Sequence, residues 1–227
     1  MTCSFLAPLF LCCTTTLRLV SNICIFFSSF DRDLVTRLDL RHFADQTARC
    51  RVQFVEHIPS GVFLDPYQLF NLRQHNLTEV LLLTAVDLEA PEYLATEQTA
   101  RVYAKPDPVG CAHCFYSKVP IHTRYHRPSS DSYSASLTLQ NPQLLIHCSK
   151  DFPPSDCSHY PAVEAPCGSQ SDEVCSWLHM PYTAVPDTTK LQVPVGSTHH
   201  TTTVCAVTLA MTLVCAGMIL VAVCKHA

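Results

Sequence analysis

Residues 204–224 read VCAVTLAMTLVCAGMILVAVC, which is 21 residues without a charged side chain. At about 1.5 Å per residue, a helix of this length spans about 31 Å and matches the roughly 30 Å hydrocarbon layer of a bilayer. A helix buried in a globular core would carry a polar stripe, whereas the polar interruptions here are Thr208, Thr212 and cysteines, which lipid tolerates. The stretch therefore predicts a transmembrane helix.

The flanks of this helix predict the topology of the chain. Lys225 is the only basic residue close to either end of the helix, so the positive-inside rule places the tail, residues 225–227, in the cytosol and the remainder in the lumen or outside. Residues 1–30 are strongly apolar, are interrupted by Arg18 and contain no acid. They predict a targeting segment, either a signal or an uncleaved anchor, although a basic n-region and a clear cleavage site are missing.

The remaining residues, 31–195, are long enough for one domain with its own core. The net charge of -4 and the lack of a Lys/Arg cluster give no electrostatic footprint for nucleic acid. The 5 glycines form neither a GxGxxG nor a P-loop pattern, so no phosphate-binding loop is expected.

Cysteine and carbohydrate signals are consistent with a secretory location. Seven cysteines in the middle of the chain are candidates for disulfides: Cys50, Cys111, Cys114, Cys148, Cys157, Cys167 and Cys175. Because seven is odd, at least one is free or pairs with Cys24 or with another chain. The sequon Asn76-Leu77-Thr78 makes Asn76 a candidate N-glycosylation site.

The middle region has the pattern of an antiparallel β domain. Apolar residues alternate with polar ones, or run in short stretches, at residues 49–54, 80–86, 99–104, 118–125 and 137–140. Proline, glycine and aspartate turns separate these segments, which favours a β-sandwich-like fold that contains disulfides. One helix is predicted at residues 66–72, with Asp65 as N-cap and Pro66 at the first position. Residues 149–176 are expected to form a disulfide-stapled loop, and residues 183–203 to lead into the membrane.

Three motifs resemble catalytic or metal sites. Cys111-Ala112-His113-Cys114 is a CxxC, the motif of lumenal thiol exchangers, but it follows a proline-rich turn rather than a buried strand and does not open a helix. Adding His122 and His126 gives zinc-like ligand types with too short a middle spacing. Asp31-Arg32-Asp33 matches the DxD of metal-dependent sugar transferases, a pattern common by chance. We therefore expect no catalytic, metal or cofactor site, and structural disulfides instead.

The transmembrane helix has two faces that suit contact with other helices. Ala206 and Ala210 have a small-xxx-small spacing, and Thr208, Thr212 and Cys215 form a second, small and polar face. Upstream, residues 196–198 (Gly-Ser-Thr) resemble the cleavage site of a GPI-anchor signal. The spacer before the apolar tail is shorter than the usual ~8–12 residues, however, and Lys225 resembles a stop-transfer flank.

Several segments of the chain closely resemble the PIG-X family. They occur in order from about Phe30 to the C-terminus: IPSGVFLDPYQLFNLRQHNLTE (58–79), DLEAPEYL (87–94), VYAK (102–105), CAHCF (111–115), VPIHTRYHRP (119–128), NPQLLIHC (141–148), AVEAPC (162–167) and LQVPVGSTHHTTTVCAVTLAMTLVC (191–215). Residues 1–29 do not resemble the family's N-terminus. Thr123 occupies a position where the resemblance implies a further cysteine.

The resemblance implies a type I glycoprotein of the endoplasmic reticulum membrane. Such a protein would be a non-catalytic subunit that stabilises a multi-spanning mannosyltransferase of the PIG-M type, which transfers the first mannose to the glycosylphosphatidylinositol (GPI) precursor. It would bind no nucleic acid and no small-molecule substrate itself. Two alternatives remain from the residues: a GPI-anchored or single-span surface binding module, and a lumenal thiol-disulfide exchanger that uses Cys111 and Cys114.

Overall fold

A computed structural model describes residues 17–25, 31–40, 50–107, 114–148, 160–185 and 188–226. The described residues form thirteen strands: β1 (Leu17–Ile25), β2 (Asp31–Asp39), β3 (Cys50–Ile58), β4 (Val62–Phe63), β5 (Val80–Leu82), β6 (Gln98–Pro106), β7 (Cys114–Thr123), β8 (Ser134–Gln140), β9 (Gln143–Cys148), β10 (Ala162–Pro166), β11 (Val174–His179), β12 (Tyr182–Val185) and β13 (Thr188–Pro194). The helices are α1 (Pro66–Gln74), a 3-10 turn (Thr198–His200) and α2 (Thr201–His226).

Eleven of these strands form one continuous hydrogen-bonded sheet in the order β10-β11-β9-β3-β6-β7-β2-β1-β12, with β5 paired to β6 and β4 paired to β7. Strand β6 joins two halves of this sheet, because its residues 98–104 pair with β3 while Lys105 and Pro106 pair with β7. The other two strands, β8 and β13, form a separate antiparallel pair. Only the β1–β12 pair is parallel among the described strands. The prediction of a mainly antiparallel β domain with disulfides and a C-terminal apolar helix is confirmed.

The main core lies between the two halves of the sheet. Alternate residues of β2 and β3, such as Leu34, Leu38 and Phe54, face the same apolar cluster as Phe115 and Ile121 of β7. The β8–β13 pair contributes Leu139, Leu191 and Val193 to this cluster. The period-2 alternation of these strands gives a sandwich-like arrangement, since each half buries one face against the other.

A second core covers the outer face of the half of the sheet that contains β3, β9, β10 and β11. Trp177 is fully buried there, packs edge-on against Tyr103 at 6.2 Å and donates its indole N–H to the carbonyl of Ala165 at 3.1 Å. The tip of the β10–β11 hairpin reaches across the sheet, because the Tyr103 hydroxyl donates to the carbonyl of Pro166 at 3.0 Å. The expectation of a loop over residues 149–176 is therefore wrong for this hairpin, which is ordered by packing on neighbouring strands.

Helix α1 begins and ends as its sequence dictates. The Asp65 carboxylate accepts hydrogen bonds from the backbone N–H groups of Tyr67 and Gln68, at 2.8 and 3.4 Å. Pro66 occupies the first turn, where no N–H is required. The predicted helix and its N-cap are confirmed, and the helix extends two residues beyond the predicted end.

The domain has two ends along the strand direction, named here by their distance from α2. The distal end lies at Cys50 and Cys148, where β3 and β9 are paired. From Cys50, β3 runs about 26 Å toward Ile58 at roughly 3.3 Å per residue. The proximal end contains the turn at Gly61, which lies close to the side chains of Leu137 and His126, and it continues into the base of α2.

Candidate functional surfaces

Helix α2 is the candidate membrane span. Within the described part of the chain, Thr198–Lys225 is the one helical segment long and apolar enough to cross a bilayer, and its most apolar part is not buried against the domain. The predicted stretch, residues 204–224, lies inside it. The exposed side chains include Leu209, Leu213 and Ile219, which the described part of the domain does not cover. Such a surface suits lipid or other membrane helices.

The two predicted docking faces of α2 lie on opposite sides. At about 100° per residue, the face of Ala206 and Ala210 lies roughly 160° around the helix from the face of Thr208 and Thr212. Gly217 extends the alanine face, because it falls within about 20° of Ala206 by the same rotation. The Thr212 hydroxyl donates to the carbonyl of Thr208 at 2.7 Å, so it is already hydrogen-bonded inside the helix. The alanine face is therefore the better candidate for close helix approach.

The base of α2 is fixed to the domain by backbone hydrogen bonds. The N–H of Ser129 donates to the carbonyl of Gly196 at 2.9 Å, and the N–H of Thr198 donates to the carbonyl of Ser129 at 3.1 Å. The N–H of Val195 donates to the carbonyl of Tyr133 at 3.0 Å. Residues 196–198, which resemble a GPI-signal cleavage site, are thus part of a parallel bridge to the domain instead of an open spacer. This geometry does not favour the GPI-anchor alternative.

Three segments that carry the family resemblance meet at Arg124, at the proximal end. Its guanidinium lies 4.7 Å from the ring centroid of Phe63, and its Nη1 donates to the carbonyl of Ala90 at 2.6 Å. Its backbone N–H donates to the carbonyl of Gly61 at 2.9 Å. The ring of His122 stacks on Phe63 at 5.2 Å. Arg124 therefore connects the β4 turn, the end of β7 and the loop at residues 83–97.

Arg124 is buried but not fully hydrogen-bonded. Only 5% of the residue is exposed, and none of the described residues pairs with its Nε atom. Burial lowers the pKa of the guanidinium, whereas the nearby Asp87 carboxylate acts to raise it. Beside it lies an open cavity of about 390 Å³, whose lining includes Asp87, Ala90, Leu94, Gln98 and Arg124. The surroundings hold the loop by charge, stacking and hydrogen bonding.

The candidate glycosylation site, Asn76, lies just after α1 and is exposed. The N–H of Asn76 donates to the carbonyl of Arg73 at 2.8 Å, and the N–H of Leu77 donates to that of Leu72 at 2.9 Å. These two bonds form a Schellman motif, in which Asn76 takes the left-handed conformation with φ of 56°. Lys105 near the end of β6 donates to the Asn76 side-chain oxygen at 3.1 Å, so the site lies toward the distal end.

The structure forms two disulfides among the described cysteines. Cys50 pairs with Cys148 at the distal end, and Cys167 pairs with Cys175 across the β10–β11 hairpin. Cys114 is also disulfide-bonded. Of the predicted set, Cys111 and Cys157 lie outside the described residues. The thiols of Cys205, Cys215 and Cys224 in α2 are free.

The residues of the three motifs that resemble catalytic or metal sites make contacts of a different kind in the structure. Cys114 begins a strand rather than a helix, which differs from the position of a redox CxxC. His122 Nε2 lies 2.8 Å from Gln68 Oε1. The Asp33 carboxylate of the DxD pattern is paired with the Lys118 ammonium at 3.0 Å. Across the described ranges, no three His, Cys, Asp or Glu side chains are grouped to bind a metal.

One buried acid was not predicted. Glu56 lies on the inner face of β3 among Phe54 and Ile58, where its carboxyl group accepts a hydrogen bond from the Thr36 hydroxyl at 3.5 Å. Burial raises the pKa of Glu56 to about 8, although the Thr36 hydrogen bond acts in the opposite direction. Burial and the nearby Glu56 also raise the pKa of Tyr182 to about 12. The Tyr182 hydroxyl donates to the carbonyl of Pro142.

The sequence did not lead us to expect roles for Glu56, Arg124 and Trp177. A signal for Glu56 was present, because Val52, Phe54, Glu56 and Ile58 follow one period-2 face. Arg124 and Trp177 gave no local signal, since their roles depend on contacts with distant parts of the chain.

These features define a class of protein: a disulfide-bonded, mainly antiparallel β domain with one C-terminal helix suited to a membrane, joined to the domain by a backbone bridge. The model of the family described as PIG-X / PBN1 matches residues 28–224. The chain belongs to this family.

Named relatives agree with this assignment. The chain is 40% identical over 198 residues to a Rattus norvegicus protein named GPI alpha-1,4-mannosyltransferase I, stabilizing subunit, with 87% of this chain and 78% of the rat protein covered. A Homo sapiens protein of the same name is 40% identical over 198 residues, with 87% of this chain and 76% of the human protein covered. The Mus musculus protein of that name is 39% identical, with 87% and 78% covered. No solved structure matches the chain.

Proposed function

We propose that this chain is the non-catalytic stabilising subunit of the endoplasmic reticulum mannosyltransferase that adds the first mannose to the GPI-anchor precursor. The observation that carries the proposal is the alignment of 198 residues, at 40% identity, with relatives named as stabilising subunits. The partner would be a PIG-M-type multi-spanning catalytic subunit. The bulk of the chain would lie in the lumen, with a type I orientation and the short tail after Lys225 in the cytosol.

Two surfaces of the structure suit this role. The alanine face of α2 would pack against helices of the partner within the bilayer, because Ala206 and Ala210 permit close backbone approach. The domain would cover lumenal loops of the partner, and the backbone bridge at Ser129 would fix its position relative to α2. A subunit that binds only the folded partner raises the partner's stability by mass action.

The experiment starts from cells that lack this protein, with the full-length chain restored as a reference. Deletion is expected to lower the abundance of the catalytic subunit and the transfer of the first mannose together. Normal partner abundance with normal mannose transfer in the deleted cells would refute the proposal.

A matched pair of variants then tests the helix face. Ala206→Leu with Ala210→Leu fills the small face and is expected to reduce co-purification and partner abundance. Thr208→Leu with Thr212→Leu changes the opposite face by two residues as well, and it is expected to behave like the unmodified chain. If the threonine pair lowers partner abundance and the alanine pair does not, the assignment of the face is wrong.

A further inference from the structure

The proximal end carries a group of exposed aromatic and apolar side chains beside the base of α2. Tyr125, Tyr133 and Leu94 are 85%, 75% and 71% exposed, and Tyr93 is 48% exposed. The four side chains belong to two loop segments, residues 93–94 and 125–133, which the hydrogen bond from the Glu92 N–H to the Tyr125 carbonyl holds side by side. We call these four residues the proximal rim.

A chain of contacts links the proximal rim to α2. The carbonyl of Tyr133 accepts a hydrogen bond from the N–H of Val195. Four residues earlier in the chain, the backbone of Ser129 is hydrogen-bonded to Gly196 and Thr198. Arg127 lies 4.3 Å above the ring of Tyr93. The N–H of Glu92 donates to the carbonyl of Tyr125 at 3.0 Å. The rim is therefore attached to the first residues of the helix by backbone and stacking contacts.

The height of the rim above the bilayer follows from the helix. The apolar stretch begins at Val204, and the 3-10 turn and first α-helical residues from Thr198 rise about 10 Å before it. Headgroups occupy roughly 5–8 Å on each side of the hydrocarbon layer. The backbone at Thr198 thus lies about 2–5 Å beyond the headgroups, and exposed tyrosine side chains beside it are long enough to reach that layer.

The charges near the rim do not select an acidic surface. Arg127 and Asp131 are both exposed and carry opposite charges four residues apart in the chain, and Glu92 lies 3.8 Å from His126. Tyrosines with apolar rings and polar hydroxyls are the side chains that concentrate at membrane–water interfaces. We propose that the proximal rim rests in the headgroup layer of the bilayer that α2 spans, and that zwitterionic phospholipid is sufficient to hold it there.

This proposal goes beyond the subunit role, because it concerns a contact with lipid that exists without the catalytic partner. The rim would set the tilt and rotation of the domain over the membrane, in addition to the bridge at Ser129. The catalytic partner protein is the competing occupant of the rim, and the experiment distinguishes it from lipid.

The test uses the full chain, reconstituted alone into phosphatidylcholine vesicles whose acyl chains carry bromine close to the headgroup. Tyr125→Trp and Tyr133→Trp place a fluorophore on the rim, and Val174→Trp places one at an exposed position of the distal hairpin. The native Trp177 is fully buried in the distal part of the domain, so its constant emission reports that each variant is folded.

We expect brominated vesicles to remove most of the emission that the two rim tryptophans add, and to leave that of Val174→Trp unchanged. The loss should persist in high salt and require no anionic lipid. The proposal is overturned if neither rim tryptophan is quenched in vesicles that contain the chain alone. It is also overturned if the emission of both rim tryptophans changes only after the catalytic subunit is added. Quenching that requires phosphatidylserine would also overturn it, since charge would then hold the domain.

Discussion

The distal and proximal ends of the domain are stabilised in different ways. At the distal end, the Cys50–Cys148 disulfide, the Cys167–Cys175 disulfide and the fully buried Trp177 hold the strands together with apolar packing and covalent bonds. Among the described residues, three at the proximal end, Arg32, Arg124 and His126, have a buried side-chain nitrogen without a hydrogen-bond partner, whereas on the distal half of β3 only Gln53 does. Unpaired buried polar groups cost stability.

The difference indicates a division of labour along the strands. The distal end maintains the fold, whereas the proximal end retains polar groups and exposed aromatic rings close to the membrane helix. Features that cost stability persist where they serve a contact outside the domain.

The largest effect is expected from removing the long disulfide. Cys50→Ala with Cys148→Ala opens a loop whose ends are 98 residues apart, so the unfolding free energy should fall by about 4–5 kcal/mol. Cys167→Ala with Cys175→Ala opens a loop of separation 8 and should cost about 2–3 kcal/mol. Denaturant unfolding of the full chain in detergent, followed by Trp177 emission, measures both.

The control for this series is Cys205→Ala, which removes an exposed free thiol in α2 and should not change unfolding of the domain. Equal losses for the two disulfides would contradict the assignment of the Cys50–Cys148 bond as the main constraint on the unfolded chain.

The second prediction concerns the buried acid on the proximal half of β3. Burial raises the pKa of Glu56 from 4.5 to about 8, so the folded state holds a proton that the unfolded state releases. Stability is therefore highest below pH 4.5 for this group, and it decreases as the pH rises toward 8. At about 1.4 kcal/mol per pH unit, the cost reaches roughly 3 kcal/mol at pH 7.

Glu56→Gln keeps the shape and removes the ionisation. The unfolding free energy should rise by up to about 3 kcal/mol at pH 7, with little change near pH 4. Glu164→Gln alters an exposed acid on β10 and should leave the pH dependence as it is. A Glu56→Gln variant whose stability falls between pH 5 and pH 8 as steeply as that of the unmodified chain would show that Glu56 is not the titrating group.

The sequence predicts the parts of this fold that local chemistry determines. The span over residues 204–224, the helix capped by Asp65 and the alternation before Phe54 each depend on residues close together in the chain. The hairpin β10–β11 was not predicted, because residues 149–176 are rich in proline, serine and cysteine and gain their order from contacts such as that between Trp177 and Tyr103.

Other elements escaped prediction for similar reasons. Residues 183–203 were expected to lead into the membrane, but they contain β13 and the end of β12, whose pairing partners β8 and β1 lie far along the sequence. Residues 17–25, within the predicted targeting segment, form β1, so that segment's role stays a prediction. The Arg124 surroundings combine three separate stretches of chain, and no local pattern marks such a convergence.

The third prediction compares two arginine–aromatic pairs that differ in burial. Arg124 is buried against Phe63 and holds the carbonyl of Ala90, so Arg124→Ala should cost about 2–3 kcal/mol. Arg127 is exposed over Tyr93, and Arg127→Ala should cost about 1 kcal/mol or less. Hydrogen exchange of residues 85–96 should accelerate in the first variant only. Similar exchange in both variants would mean that Arg124 does not hold the loop.

The smallest effect is expected at Asn76, where the choice of substitution matters. Asn76 has a φ of 56°, a conformation that glycine adopts freely and that costs other L-residues about 1–2 kcal/mol. Asn76→Gly should therefore leave stability within a few tenths of a kcal/mol, whereas Asn76→Gln should lose about 1 kcal/mol. Both substitutions remove the sequon, so each should eliminate the mass of one glycan from the protein made in cells.

The glycine variant distinguishes the effect of the glycan from the effect of backbone conformation, because it removes the first and leaves the second unchanged. Because the site lies toward the distal end, its glycan would point away from the membrane, and Asn76→Gly should leave co-purification with the catalytic subunit unchanged. Thr78 of the sequon is buried, so Asn76 would have to be glycosylated before this segment packs into the fold. Loss of the partner in Asn76→Gly, with the domain still folded by Trp177 emission, would assign the distal end a contact with the partner and remove the division between the two ends.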